Sequence, residues 1–177
     1  MSAVDPNHPD VVSFMALVST ALGQFLPPPK DVFNFGHGDP LWADKTLQLA
    51  IQGKKTATTS WPTPDPLYWG VGDLSVILDG QGKPAALMRT TEFVKCKFKD
   101  VDKGFALAEA EGDYQSYREG HIKFYNEVQE MSKPEAERQV FGEESWVLCE
   151  RFEVIYPTYE GEKKEWEAGH DEMRLKG

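Results

Sequence analysis

The reactive side chains of this chain concentrate in one short segment, Gly53-Lys54-Lys55-Thr56-Ala57-Thr58. Two lysines stand together there, and four hydroxyls, Thr56, Thr58, Thr59 and Ser60, crowd into five positions. Burial disfavours the charged form of an amine, so a buried lysine can act as a base. A Thr or Ser hydroxyl beside such a base becomes a nucleophile. The same lysines also have a structural use, because cations at a helix C-terminus interact favourably with the negative end of its dipole while staying solvated. Strand geometry restricts the catalytic option. Residues three apart on a regular strand point to opposite faces, so Lys55 and Thr58 converge only if Lys55 lies in the turn before the strand, or if a bulge intervenes.

The elements that must position this segment follow from pattern and punctuation. Val11, Phe14, Met15, Val18, Leu22 and Phe25 recur at helical spacing and predict a helix over 11–26, stopped by Pro27-Pro28-Pro29. The stretch 33–39 reads as a Gly-rich link. Asp39 followed by Pro40 is the start signal of a second helix, with Leu47, Ala50 and Ile51 on its apolar face. Gly53 falls where a left-handed C-terminal cap belongs. Residues 56–61 favour a strand, and 62–70, with Pro62, Pro64 and Pro66, form a loop or lid. Strands are predicted over 74–78, 85–98 and 146–156, with a turn at Asp79-Gly80-Gln81-Gly82. Helices are predicted over 101–111 and, capped by Asp113, over 114–131. Short strands not regularly alternated with helices imply an α+β domain whose mixed or antiparallel sheet curls toward a barrel.

Composition narrows the function classes. The chain has 177 residues, 40% hydrophobic, 27% charged and 12% aromatic, which suits one globular domain with its own core. The 19 basic and 29 acidic side chains leave a net charge of −10. Affinity for long polyanions rests on basic residues that release counterions, so RNA contact would have to be local or limited to a nucleotide-sized ligand. Cys96 and Cys149 lie in no metal-ligand spacing, which points to buried reduced thiols in a reducing compartment and away from zinc or a disulfide scaffold. No apolar run is long enough to span a bilayer, and residues 1–10 do not read as a signal peptide, so a cytoplasmic location is expected.

Gly53-Lys54-Lys55-Thr56-Ala57-Thr58 resembles the G-x-K-x-x-T core of the ASCH domain family. Arg89-Thr90-Thr91-Glu92-Phe93, Ala108-Glu109-Ala110-Glu111-Gly112-Asp113 followed by His121 and Phe124-Tyr125, and Val147 to Val154 are similar to stretches of its larger members. The resemblance spans about 35–156, between an N-terminal arm and helix (1–30) and a charged tail (157–177), with the domain itself set at 31–156. One departure is Ser60, where the family pattern often carries an Arg that could hold a phosphate. The resemblance implies a PUA-like β-barrel with a nucleobase-sized pocket. It implies RNA binding, ribonuclease activity, or hydrolysis of N4-acylcytidine by a Lys, a Thr and a Glu.

Carried over residue by residue, it makes Lys55 the general base, Thr58 the nucleophile and Glu111 the general acid. Their bland alternatives are a solvated helix cap, a strand threonine and a charge on a solvated helix face, where Glu109 would serve as well. Lys54, Arg89, Trp61 and Trp69 are the substrate-binding candidates. Arg89 would clamp a phosphate, or else pair with Glu111 or Glu92. Trp61, Tyr68 and Trp69 would stack on a base, or else cover the core. His121, at helical spacing to Tyr117 and Phe124, is read as packing. No cofactor and no metal are expected. The favoured function is an amidohydrolase acting on a small modified nucleoside. The alternatives are an RNA-binding module without catalysis and a metal-independent ribonuclease acting on short RNA. Oligomeric state is left open.

Overall fold

The computed structural model describes residues 5–36 and 39–158. Most of the expected charged tail, and the first residues of the expected arm, lie outside them. The elements in chain order are α1 (Pro9–Leu22), β1 (Asp31–Phe33), α2 (Pro40–Ile51), β2 (Ala57–Ser60), β3 (Leu74–Leu78), β4 (Pro84–Lys97), α3 (Lys103–Ala108), α4 (Tyr114–Ser132) and β5 (Trp146–Tyr156). The strands form one mixed sheet in the order β1-β3-β4-β5-β2. Among the described residues β1 and β2 each have one strand neighbour, so the sheet is open. This corrects the expected barrel: closure needs the two end strands to pair, and they are only three and four residues long. No helix among the described residues is long and apolar enough to cross a membrane.

The chain divides into two compact units. The first holds the described residues up to Gly53, Gly72–Arg89 and those from Glu153 onward. In α1, Val11, Met15 and Val18 recur on one face and bury against Val32, Leu74, Val76, Leu78 and Leu87. That helix ends at Leu22, short of the expected 26, because Gly23 adopts φ +64° and its N–H turns back to Thr20. The left-handed glycine stops the helix before the prolines can. In α2, the Asp39 carboxylate accepts the N–H groups of Leu41 and Trp42, as the Asp-Pro signal predicts. Strand β1 pairs parallel to β3, with Asp31 opposite Ser75. It ends at Phe33, the first residue of the expected 33–39 link, and its three residues are too few to show a period. β3 and β4 form a hairpin with Leu74 opposite Arg89 and an irregularity at Ile77/Leu78.

The second unit, Lys54–Val71 with Thr90–Phe152, carries the chemistry-bearing segment. β2 runs antiparallel to β5, pairing Thr58 with Glu150 and Thr59 with Cys149. Asp102 caps α3 through the Phe105 N–H, and Asp113 caps α4 through the Ser116 N–H. α3 stops at Ala108, three residues short of the prediction, and Ala110 takes a left-handed φ of 58°. α4 buries Tyr117, His121, Tyr125 and Gln129, one residue per turn. Its aromatic stripe packs with Phe98, Val101, Phe105, Phe141, Val147 and Cys149 into a single core.

Candidate active site

The site is assembled from three pieces of the second unit: the lead-in to β2, the turn between α3 and α4, and the buried face of α4. Lys55 precedes β2, and alternation along the extended chain sends Lys55, Ala57 and Thr59 to one side. All three are buried, at 1%, 0% and 7% exposure. The lead-in is held by two backbone bonds, from the Thr56 N–H to the Ala108 carbonyl and from the Phe152 N–H to the Thr56 carbonyl.

Lys55 Nζ donates to Glu109 Oε2 at 3.0 Å, to the Glu109 backbone carbonyl at 3.1 Å and to Glu111 Oε1 at 3.5 Å. Three acceptors match the three N–H donors of an ammonium. Both carboxylates reach Lys55 because the helix ends before them. The left-handed Ala110 between them breaks the regular helical path, and both side chains turn to one cation. Glu109 is buried, whereas the Glu111 side chain remains 25% exposed and is the more solvent-accessible of the two carboxylates.

The other Glu109 oxygen accepts the Thr59 hydroxyl at 2.5 Å. Thr59 Oγ1 also lies 2.7 Å from the Tyr117 hydroxyl. Burial, aided by Glu109, raises the Tyr117 hydroxyl well above its ordinary range, so it is a neutral O–H. With the Thr59 proton on Glu109, Tyr117 must be the donor. The result is a directed chain in which Tyr117 donates to Thr59, Thr59 to Glu109, and Lys55 to Glu109 from the other side. Successive bonds of this kind polarise one another. Tyr125, two turns on, donates its hydroxyl to the Thr59 carbonyl at 2.6 Å. Burial, followed by the two nearby carboxylates, keeps that hydroxyl neutral as well.

His121 lies between the two tyrosines, its ring 4.2 Å from that of Tyr117. Its Nδ1 is 2.8 Å from the Tyr117 carbonyl, which has no proton to give, so Nδ1 carries the hydrogen. Its Nε2 faces Glu109 Oε1 at 3.6 Å. One atom each of Glu109, Glu111 and His121 lies within 4.8 Å of the others, a spacing compatible with a metal ion. The Lys55 ammonium sits against both carboxylates, supplying the positive charge an ion would bring.

The structure brings Lys55 and Glu111 together. The hydroxyl in contact with this group is Thr59. Thr58 is half-buried on the other face of β2, across from Glu150, whose own carboxylate accepts the Thr90 hydroxyl at 2.5 Å. Glu109, expected only as an interchangeable surface charge, is the innermost acid. His121 packs as expected and also meets both carboxylates. Two signals point to the residues missed: alternation counted from Lys55 selects Thr59, and the i, i+4, i+8 spacing of Tyr117, His121 and Tyr125 marks one helix face.

The expected substrate-binding residues are placed differently. Lys54 is exposed. Arg89 belongs to the first unit, where it lies 3.4 Å from Glu153, and it is Arg151 that meets Glu92 at 3.3 Å. Trp69 is 9% exposed, edge-on to Phe93 with ring centres 5.6 Å apart. Trp61 packs edge-on against Tyr125 and Phe141. Trp61 therefore covers the core, and Trp69 packs within an aromatic group with Tyr68 and Phe93.

Among curated proteins none matches the chain. Solved structures that resemble it include two crystal structures. One is a protein of Enterococcus faecalis V583, at 26% identity and a TM-score of 0.67, matching 86% of this chain and 97% of the other. The second is an ASCH domain from Lactobacillus crispatus, at 27% identity and a TM-score of 0.59, matching 71% of this chain and 79% of that one. The model of the ASCH domain matches residues 31–156. On that match, the chain belongs to the ASCH domain family.

Proposed function

We propose that this protein is an amidohydrolase acting on a small N-acylated nucleoside of the N4-acylcytidine class. The observation that carries the reading is the fully buried Lys55 ammonium held against Glu109 and Glu111, with the Thr59 hydroxyl bonded to the same Glu109 carboxylate. A nucleophile within hydrogen-bond reach of a base, the base oriented by a third group, is the recurring form of an activated hydroxyl. In this reading Glu109 receives the Thr59 proton as the hydroxyl oxygen attacks the acyl carbonyl. Lys55, saturated with acceptors, orients Glu109 and serves as a fixed positive charge near the developing oxyanion. Glu111, in reach of solvent, passes a proton from a solvent water to the leaving amine as the C–N bond breaks. Water then hydrolyses the acyl ester and releases the carboxylate. The roles differ from the sequence expectation in two places, with Glu109 as base where Lys55 was expected, and Thr59 as nucleophile where Thr58 was. The net charge of −10 favours a small substrate over a polymer.

The test is turnover of N4-acetylcytidine by the purified full chain, followed as cytidine release. The wild type is expected to turn over, and Glu111→Gln to lose about 10²–10⁴-fold in kcat, the usual contribution of a general acid. Glu111 is partly exposed, so this variant should fold. A wild type inert toward N4-acylated cytidines, or a Glu111→Gln protein as fast as the wild type, overturns the reading.

A further inference from the structure

Cys96 on β4 and Cys149 on β5 are both free thiols, and their strands are neighbours in the sheet. Their sulfurs lie 3.9 Å apart although 53 residues separate them in sequence. The two environments differ. Cys149 is 5% exposed, within the core formed by Ala57, Tyr117, Tyr125 and Phe141. Cys96 is half-buried at the margin of that core. A small oxidant therefore meets Cys96 first. Burial, with Cys96 and Glu109 nearby, raises the Cys149 thiol well above its ordinary range, which makes it a poor first target.

We propose that Cys96 and Cys149 form a peroxide-sensitive thiol pair that closes to an intramolecular disulfide between β4 and β5. Closing the 3.9 Å separation to a bond takes about 2 Å of relative movement of the two sulfurs. The chemistry is complete with hydrogen peroxide as oxidant. The Cys96 sulfur attacks one peroxide oxygen, the O–O bond breaks, and one water leaves as Cys96 becomes a sulfenic acid. The Cys149 sulfur then attacks the Cys96 sulfur, the S–O bond breaks, and a second water leaves. Two thiols are oxidised by two electrons and one peroxide is reduced to two waters. The inference stands on the sulfur geometry and does not depend on the hydrolase reading. It has a structural consequence, since Cys149 is the register partner of Thr59 and the new bond would lie directly across the strand from that hydroxyl.

The experiment uses the reduced full chain, treated with hydrogen peroxide, quenched with an alkylating reagent and read by intact mass. The expected result is a loss of about 2 Da with no alkylation, reversed by dithiothreitol. Digestion under non-reducing conditions should give a linked peptide pair containing Cys96 and Cys149. Cys96→Ser should remain alkylatable once, Cys149→Ser should gain one oxygen at Cys96, and neither should form an internal link. The wild-type mass and peptide map stand even if either variant folds poorly. Two alkylatable thiols after peroxide, an oxygen adduct on one cysteine that never resolves, or disulfide-linked dimers as the sole oxidised product would each overturn the proposal.

Discussion

Replacing Lys55 with Met tests whether the buried cluster is one electrostatic unit. The two side chains are similar in length, so the Lys55→Met exchange removes the charge while largely filling the space. What remains is the Glu109 carboxylate, at 2% side-chain exposure, bonded to Thr59 but without the ammonium 3.0 Å away. Breaking a buried pair by removing one partner typically costs about 3–5 kcal/mol, because the other charge stays buried and uncompensated. That is a large share of the roughly 5–15 kcal/mol that stabilises a domain. A second variant, Lys55→Met with Glu109→Gln, removes both charges and retains an acceptor for Thr59. It should recover much of the loss, since replacing a whole buried pair is often close to neutral. Urea unfolding of the three proteins measures this through midpoint and slope. A loss below about 1 kcal/mol for Lys55→Met would mean the pair behaves like an exposed one, and would refute the reasoning. A double variant as unstable as the single one would refute it too.

Two further outcomes follow from other parts of the molecule. Glu144, hydrogen-bonded by Lys97 and by Lys99, has its carboxyl held down to about 2, so its contribution is present above the unfolded value of 4.5 and is lost as pH falls toward 2. Glu144→Gln should therefore flatten the acid side of the stability curve in that window, weakly in high salt because the group is exposed, and an unchanged acid limb at low salt would contradict this. Gly80→Ala would place a Cβ 2.3 Å from the Pro40 carbonyl oxygen, at the turn where the Gly80 N–H donates to Asp44. Because the obstacle is backbone, a stability loss of about 1–3 kcal/mol is expected in urea unfolding, and a neutral result would contradict the packing of that turn.

Local signals in the sequence carried most of the element boundaries. Asp39-Pro40 and Asp113 mark the starts of α2 and α4 through side-chain caps that act over three residues, and Gly53 takes the φ of +70° its position calls for. The bounds of β3 and β5 match the prediction because both are rich in β-branched and aromatic residues or in Leu, and both are flanked by turn or proline residues. The misses arise where distant contacts decide. β1 exists because it pairs with β3, about 44 residues away in sequence, and three residues carry no period of their own. The early end of α3 depends on a left-handed alanine, which no propensity favours. That same turn makes Glu109 and Glu111 converge on Lys55. The choice between Thr58 and Thr59 was set by where the strand's phase begins. The motif resemblance marks Thr58, while alternation from Lys55 marks Thr59, and the tyrosines that hold Thr59 come from α4, some 60 residues on.

The most direct measurement compares Thr59→Val with Thr58→Val in single-turnover deacylation of N4-acetylcytidine, after circular dichroism has shown that both proteins fold. If the buried Lys55–Glu109–Thr59 group is the reacting centre, acyl transfer collapses in Thr59→Val and stays within a few-fold of the wild type in Thr58→Val. Full activity in Thr59→Val, with loss in Thr58→Val, would move the chemistry to the opposite face of β2 and contradict the account.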